Sequence, residues 1–363
     1  MWPGVNFLPH LRNLFIDLSL ETMSLNSFAI IIPSHSRADL LSKCLASLRR
    51  HAPLSAEILV VDDASADGMI SRVVEKFPGV RVHRNETRQG FCKSVNLAAK
   101  LVQSPIIQVL NDDTEVCAGW AESALDAFGD NRVAAVAPLV LRWPGAIAGQ
   151  GVVDSAGDAY FLSGVATKRA NGSELMEANL ESCRVFGASG SSAFYRRDVF
   201  LAVGGYPEYF GAYFEDVDLS FRLHWAGYWV RFEPASRVLH HVGSSYGRVT
   251  VPRALLQSQA LNEERVFWRN LPLSLLVKSL PMHFMALLAK AFKRGAEGNL
   301  LPFLLGKIRM FLEIPQVLLH RLALKNKYPQ TNPTAQDWCL EGLTGLRGFL
   351  VKQLFSLQSH KSA

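Results

Sequence analysis

Three groups of carboxylates carry the chemistry this sequence can offer. At residues 105–116, PIIQVLNDDTEV, an apolar run stops at Asn111, Asp112 and Asp113. Adjacent acids are a natural site for a hard divalent cation such as Mg²⁺ or Mn²⁺, which prefers oxygen ligands. Such an ion would hold a diphosphate and neutralise the charge growing on it as it leaves. A solvated strand end uses the same residues. A second pair, Asp62 and Asp63, follows the apolar ILVV. Ionised carboxylates only accept hydrogen bonds, which suits the donors of a base or a ribose, and suits equally an Asx turn capping the next helix. The third group, Glu215, Asp216 and Asp218, lies in YFGAYFEDVDLSFRLHWAGYWV, residues 209–230. Aromatic surroundings raise a carboxylate's pKa toward that of a general base, although an acidic first helical turn reads the same way. His240 and His241 gain meaning as ligands only if they meet Asp113 in space.

These residues need elements to position them. From residue 28 the chain alternates short apolar runs with helical patterns: FAIIIPS, ADLLSKCLASLRRH, AEILVVDDAS, GMISRVVEKF, VRVHRN, GFCKSVNLAAKLV and PIIQVLNDD. Continuous β-branched runs between amphipathic helices predict a doubly wound α/β fold, with a mostly parallel sheet covered on both faces. Ligands of such sheets bind beyond the carboxyl ends of the strands. The polar clusters at 33–37, 62–67 and 111–113 all fall there. Residues 138–186, rich in Gly, Ala and Ser, read as loops and short strands, and apolar helices occupy about 261–324.

Composition narrows the function. With 49% hydrophobic and 19% charged residues the chain is globular. A net charge of +6 suits an anionic ligand or membrane surface and is too weak to argue for nucleic acid. Cys44, Cys92, Cys117, Cys183 and Cys339 have no paired or metal-type spacing, as expected of reduced thiols in a cytoplasmic compartment. Residues 1–27 lack the basic start and cleavage site of a secretory signal and read as an N-terminal extension. No window reaches about 18 uninterrupted apolar residues; in 271–292, Lys278, Pro281 and His283 interrupt.

The motifs in this order resemble the inverting family-2 glycosyltransferases of the GT-A fold. IIIPSHSR is similar to the opening strand and nucleotide loop, ILVVDDASADG to the second strand, and NETRQGFCKSVNLAAK to the segment leading to the metal motif. VLNDDTEV is similar to the Asp-X-Asp-type motif itself, and residues 187–245 to the acceptor and catalytic block. The resemblance implies a catalytic domain over 28–250, with a nucleotide-binding half (28–137) and an acceptor and catalytic half (138–250). A helical region, 251–363, follows; within 271–324 Leu, Phe and Met alternate with Lys278, Lys290, Lys293, Arg294, Lys307 and Arg309, the pattern of helices in contact with an anionic membrane or of a helical subdomain that buries its apolar face against the catalytic one.

Carried over by position, Pro33, Ser34, His35 and Arg37 would line the nucleotide-sugar pocket, with His35 where the family more often has Tyr. Asp63 would bind the base with Asp62 nearby, Lys93 would approach the diphosphate, and Asp112 would contact the ribose. Asn111 stands where a strict Asp-X-Asp motif has its first acid, which leaves metal binding to Asp113, aided by His240. Asp216 matches the general base, with Glu215 beside it, and Asp218 and Trp225 fall on the acceptor side.

The implied reaction is a single displacement. A hydroxyl of a saccharide or lipid-linked saccharide attacks the anomeric carbon of a UDP- or dTDP-linked sugar, in a cytoplasmic enzyme at the inner face of the membrane. Residues 149–172 resemble an insertion of bacterial rhamnosyltransferase-like members, which points to surface-polysaccharide assembly. Two other readings compete. A nucleotidyltransferase would want a Gly-rich phosphate loop after the first strand, where PSHSRAD has none. A receiver-like signalling sheet would begin with the Asp62–Asp63 strand rather than place a strand and helix before it.

Overall fold

Strand β1 (Phe28–Ser34) is buried at all seven positions, as an uninterrupted β-branched run demands. It pairs in parallel with β2 (Glu57–Asp62) on one side and β4 (Ile106–Leu110) on the other, and β3 (Val80–Arg84) continues beyond β2. The helices between them, α1 (Ala38–His51), α2 (Met69–Val74) and α3 (Phe91–Leu101), cover both faces with apolar residues at helical spacing, such as Leu41, Cys44, Leu45 and Leu48 of α1. This half follows the predicted alternation. The computed structural model describes residues 27–144, 151–176, 178, 180–241, 252–329 and 333–342. Residues 1–26 of the expected N-terminal extension and the expected boundary at 250 lie outside them.

Past β4 the sheet becomes mixed. After β5 (Thr114–Val116) and α4 (Trp120–Asp126) come β6 (Val133–Arg142), β7 (Val153–Ser155), β8 (Asp158–Phe161), β9 (Ala166–Lys168), β10 (Cys183–Val185) and β11 (Ser192–Arg196). Helices α5 (Arg197–Ala202) and α6 (Glu215–Trp225) lead to the long strand β12 (Trp229–His240). The order of the 10-stranded sheet is β10-β12-β6-β11-β4-β1-β2-β3, with β5 beside β12 and β7 beside β6. Strand β11 runs antiparallel between β4 and β6, whereas β12 runs parallel to β6. The end of β12 sets His240 opposite Thr114, and the His241 N–H donates to the Asp113 carbonyl at 2.9 Å. That pairing brings two segments more than 120 residues apart to one edge.

A small three-stranded sheet joins β8, β9 and β13 (Leu340–Glu341). The chain also forms α7 (Arg253–Asn270), α8 (Leu273–Ala296), α9 (Leu300–Arg309) and α10 (Ile314–Lys327). Helix α8 runs unbroken through Lys278, Pro281 and His283. By length and composition alone it is apolar enough to cross a membrane despite those three interruptions. All five cysteines are free thiols.

The β8–β9 turn seats on α8 through Gly164, whose φ is +85°. A Cβ there would lie 2.6 Å from His283 Nδ1 and 2.9 Å from the Phe267 ring. Gly164→Ala should therefore cost about 1–3 kcal/mol through combined left-handed strain and overlap. A thermal melt with an unchanged midpoint would show this seat to be soft.

Candidate active site

The carboxyl ends of β1, β2 and β4 form one polar edge. Asp62, fully buried, accepts the Ser65 N–H at 2.8 Å, the Ser71 hydroxyl at 2.6 Å and Arg84 Nη1 at 2.6 Å. It thereby builds the turn that enters α2. Asp63 accepts Asn85 Nδ2 at 2.8 Å, the Gln89 N–H at 2.7 Å and the Gly90 N–H at 2.9 Å, so it ties the NETRQG loop to β2. His35 sits 2.8 Å from the Asp63 carbonyl through Nδ1. The two acids therefore shape the loops that bound this pocket.

The acids of β4's end meet a cation from β1's loop. Asp112 accepts the Ser34 hydroxyl at 2.6 Å and pairs with the Arg37 guanidinium, which also donates to Asp113 Oδ2 at 2.6 Å. Burial raises the Asp112 pKa to about 6, even though Arg37 and Ser34 draw it down. His240 Nε2 faces Asp113 Oδ1 at 3.3 Å, and its Nδ1 faces Asp154 Oδ2 at 3.0 Å. Burial disfavours the imidazolium, but the Asp113 and Asp154 carboxylates outweigh it and hold the His240 pKa above its ordinary value. Asp154 also pairs with Lys168 at 2.7 Å; against the cost of burial, His240 and Lys168 keep its pKa at about 2. A carboxylate and an imidazole side by side, the imidazole oriented through its other nitrogen by a second acid, fit a Mg²⁺- or Mn²⁺-type ion. Among the described residues no three His, Cys, Asp or Glu side chains gather into a ready-made cation site. The protein would thus supply two donors, leaving the other positions to phosphate oxygens and water.

Across from this edge lies a cavity of about 460 Å³. Pro33, Arg37, Asn111 and His240 line one side, and Asp158, Lys168, Gly190, Glu215 and Asp216 another. Asp216, in the first turn of α6, accepts the Gly190 N–H at 2.7 Å and the Val217 N–H at 2.8 Å. Glycine permits that approach: a Cβ at 190 would stand 3.2 Å from Asp216 Oδ2 and 3.4 Å from Glu215 Oε1. Among the described residues Asp158 Oδ2 and Glu215 Oε2 have no hydrogen-bond partner. Burial pushes all three acids up, but the two backbone donors hold Asp216 back, whereas repulsion from Asp216 lifts Glu215 and Asp158 well above the carboxylate range. Three buried acids cannot all ionise, and the backbone donors favour Asp216 as the one that does.

The wall beside Asp216 is strained. Tyr213 and Phe214 have φ of 71° and 69°, a conformation costly for aromatic residues. Asn262 of α7 holds it, donating through Nδ2 to the carbonyls of Phe210 at 3.0 Å, Ala212 at 3.2 Å and Tyr213 at 3.0 Å.

Of the sequence-derived positions, Pro33, Arg37, Asn111, Glu215, Asp216 and His240 line this cavity; Ser34, His35, Asp62, Asp63, Asp112 and Asp113 stand at the strand edge outside its lining, and Lys93, Asp218 and Trp225 lie elsewhere. Asp218 is buried between Arg222, whose Nε donates to it at 2.8 Å, and Asn270 at 2.7 Å, with Arg269 Nε at 3.4 Å. Trp225 donates to the Asn270 carbonyl at 2.8 Å. Lys93 lines a separate cavity with His83, Arg84 and Lys100. Conversely Asp154, Asp158, Lys168 and Asn262 were not singled out in sequence. The first three sit in the 149–172 segment, where VVDSAGDAY places two acids four apart across a glycine turn.

Comparison with known proteins agrees with this architecture. Residues 29–204 match glycosyl transferase family 2. An N-acetylglucosaminyl-diphospho-decaprenol L-rhamnosyltransferase of Mycobacterium tuberculosis is 29% identical over 243 residues, 60% of this chain and 77% of that one. Polypeptide N-acetylgalactosaminyltransferase 10 of Rattus norvegicus is 31% identical over 140 residues, which span 37% of this chain and only 23% of the relative. Among solved structures, GalNAc-T7 with UDP, GalNAc and Mn²⁺ superposes with a TM-score of 0.53 at 19% identity, over 67% of this chain and about half (48%) of that one. The chain is a glycosyltransferase. It carries the glycosyl transferase family 2 domain, on a GT-A fold, and resembles the rhamnosyltransferases.

Proposed function

We propose that this glycosyltransferase moves a hexosyl or rhamnosyl unit, with inversion, from a UDP- or dTDP-linked sugar to a hydroxyl of a saccharide or lipid-linked saccharide. The observation that carries the reading is the acid trio. One carboxylate with two backbone donors, Asp216, is set between two acids that hold their protons, in the same cavity as Arg37, Asn111 and His240. Asp216 accepts the proton of the attacking hydroxyl at Oδ2 or Oδ1, and the positive φ at Phe214 fixes the start of the helix that presents it. Glu215 and Asp158, as neutral acids, are suited to hold sugar hydroxyls by donating and accepting.

Asp113 and His240 would hold the divalent ion, which when bound neutralises the departing diphosphate. Arg37 supplies a fixed positive charge at the same edge. The lipid-linked class of acceptor is favoured by the mycobacterial relative, whose name describes action on a diphospho-decaprenol carrier. Such an acceptor would place the enzyme at the inner face of the cytoplasmic membrane, in surface-polysaccharide assembly.

The test is a thermal-shift series with UDP, dTDP, GDP and CDP, each with and without Mn²⁺, on the parent and on Asp113→Ala. A metal-dependent rise for one nucleotide, lost in Asp113→Ala, is expected and names the donor class. A rise that survives the substitution would remove the metal role of Asp113. No rise with any nucleotide would overturn the donor assignment.

A further inference from the structure

The helices after residue 252 have two faces, and one is bare. On α8, Leu275, Leu276, Ser279, His283 and Ala286 are buried, whereas Leu273, Val277, Leu280, Phe284, Leu288 and Phe292 form an exposed stripe at three- and four-residue spacing. Exposed apolar side chains recur on α9 and the turn after it, where Leu301, Phe311 and Leu312 are 66%, 70% and 78% exposed, and on α10 at Leu319. Most of the large exposed apolar side chains of the described residues fall between Leu273 and Leu322. Soluble monomers rarely leave a face of this extent uncovered.

The charges on this region say what covers it. Residues 271–327 hold nine Lys and Arg against two acids, Glu297 and Glu313. Both acids are paired, Glu297 with Arg294 at 2.7 Å and Glu313 with Arg265 at 2.5 Å. Lys278, Arg309 and Lys325 are exposed around the apolar stripe. An apolar face rimmed by cations complements an anionic lipid surface. A second copy of the chain would oppose like charges across the same face, which disfavours that occupant.

Crossing the bilayer is disfavoured by the inner face of α8. His283 lies 2.8 Å from the Ser163 carbonyl and 3.1 Å from Glu264, and Lys290 pairs with Glu263. Lys307 of α9 pairs with Glu263 at 2.6 Å and Glu264 at 2.8 Å. These buried partners fasten α8 and α9 along the catalytic part, and leaving them would strand Glu263 and Glu264 uncompensated.

We infer that the outer face of α8, α9 and α10 is a docking platform that lies on a bilayer rich in anionic phospholipid. This goes beyond the proposed reaction and does not rest on it. The platform sits on two elements that reach the cavity. Helix α7 carries Asn262, the clamp of the 210–213 backbone, and the β8–β9 turn against α8 precedes Lys168. Docking would therefore hold the catalytic cavity at a fixed relation to the lipid surface.

The experiment is co-sedimentation of the full chain with phosphatidylcholine vesicles, with and without phosphatidylglycerol. Two variants accompany the parent, Leu301→Glu/Phe311→Glu/Leu312→Glu and Lys278→Glu/Arg309→Glu/Lys325→Glu, and all their positions are exposed, so their melting points report whether the fold is intact. Binding only to the anionic vesicles is expected, reversed by high salt and weakened in the charge variant by roughly a hundredfold or more. It should be abolished in the apolar variant. Equal binding to both vesicles would overturn the anionic commitment, and retention in membranes after alkaline carbonate would overturn the surface-lying one. A dimer by sedimentation velocity that falls apart in the apolar variant, or a monomer that binds neither vesicle, would overturn the platform altogether.

Discussion

Asp216→Asn should lower kcat by about 10²–10⁴-fold, the range for loss of a positioned general base, while nucleotide-induced stabilisation is retained. The asparagine keeps the side chain's shape and still accepts one of the two N–H donors, from Gly190 or Val217. What it loses is the electron pair that takes the acceptor's proton. The same argument fixes the pH profile. Burial raises the Asp216 pKa, only partly offset by its backbone donors. The base is competent when ionised, so the rate should climb as pH rises through that elevated pKa, placing the acidic limb above the ordinary aspartate value. Glu215→Gln should be far milder, because burial and the neighbouring Asp216 already keep Glu215 protonated. A nearly unchanged rate in Asp216→Asn, with its acidic limb in place, would move the base elsewhere in the cavity.

Asp218→Asn should destabilise the fold by about 3–5 kcal/mol, the cost of breaking one side of a buried ion network. The carboxylate lies between Arg222 and Arg269, and Arg222 also donates to the carbonyls of Val203 and Gly205 at 2.6 Å each. Removing the negative charge leaves two guanidiniums buried at the joint of α6 and α7. Burial opposes the charged form, but Arg269 and Arg222 hold the Asp218 pKa at about 2, below its ordinary 3.8. A depressed folded pKa contributes stability that is complete above the unfolded value and lost as pH falls through the folded one. The parent should therefore lose stability between about pH 4 and pH 2, and the variant should lack that component. Urea titrations across this window measure both. A role for Asp218 at the acceptor would instead raise the acceptor KM in a variant of unchanged stability.

The first half of the fold was legible because its signals are local. β1, β2 and β4 are predominantly apolar runs, each followed by the polar residues that cluster at the sheet edge. The start of α6 at Glu215 follows the same logic, since its acids sit at a helix N-terminus. Asp154, Asp158 and Lys168 were hidden for a different reason. They stand on strands of three or four residues separated by glycine turns, too short for a period to register. The nearness of His240 to Asp113 depends on β12 lying between β6 and β5, a long-range register that no window of sequence contains. The exposure of α8 was equally hidden, because leucines occupy both its faces and periodicity alone does not say which one is covered.

The bridge that Arg37 makes to Asp112 and Asp113 bears on how a ligand enters. This guanidinium is shared between the two acids, so a cation that reaches Asp113 meets a positive charge already paired with it. Under the proposed reaction an arriving dication competes with an occupant, and alone it gains only the difference between two cations. A diphosphate arriving with it offers the displaced guanidinium a new anionic partner, one whose geometry a planar fork matches well. Metal and nucleotide are then joint tenants of the cleft: each should tighten the other, by the same factor in both directions.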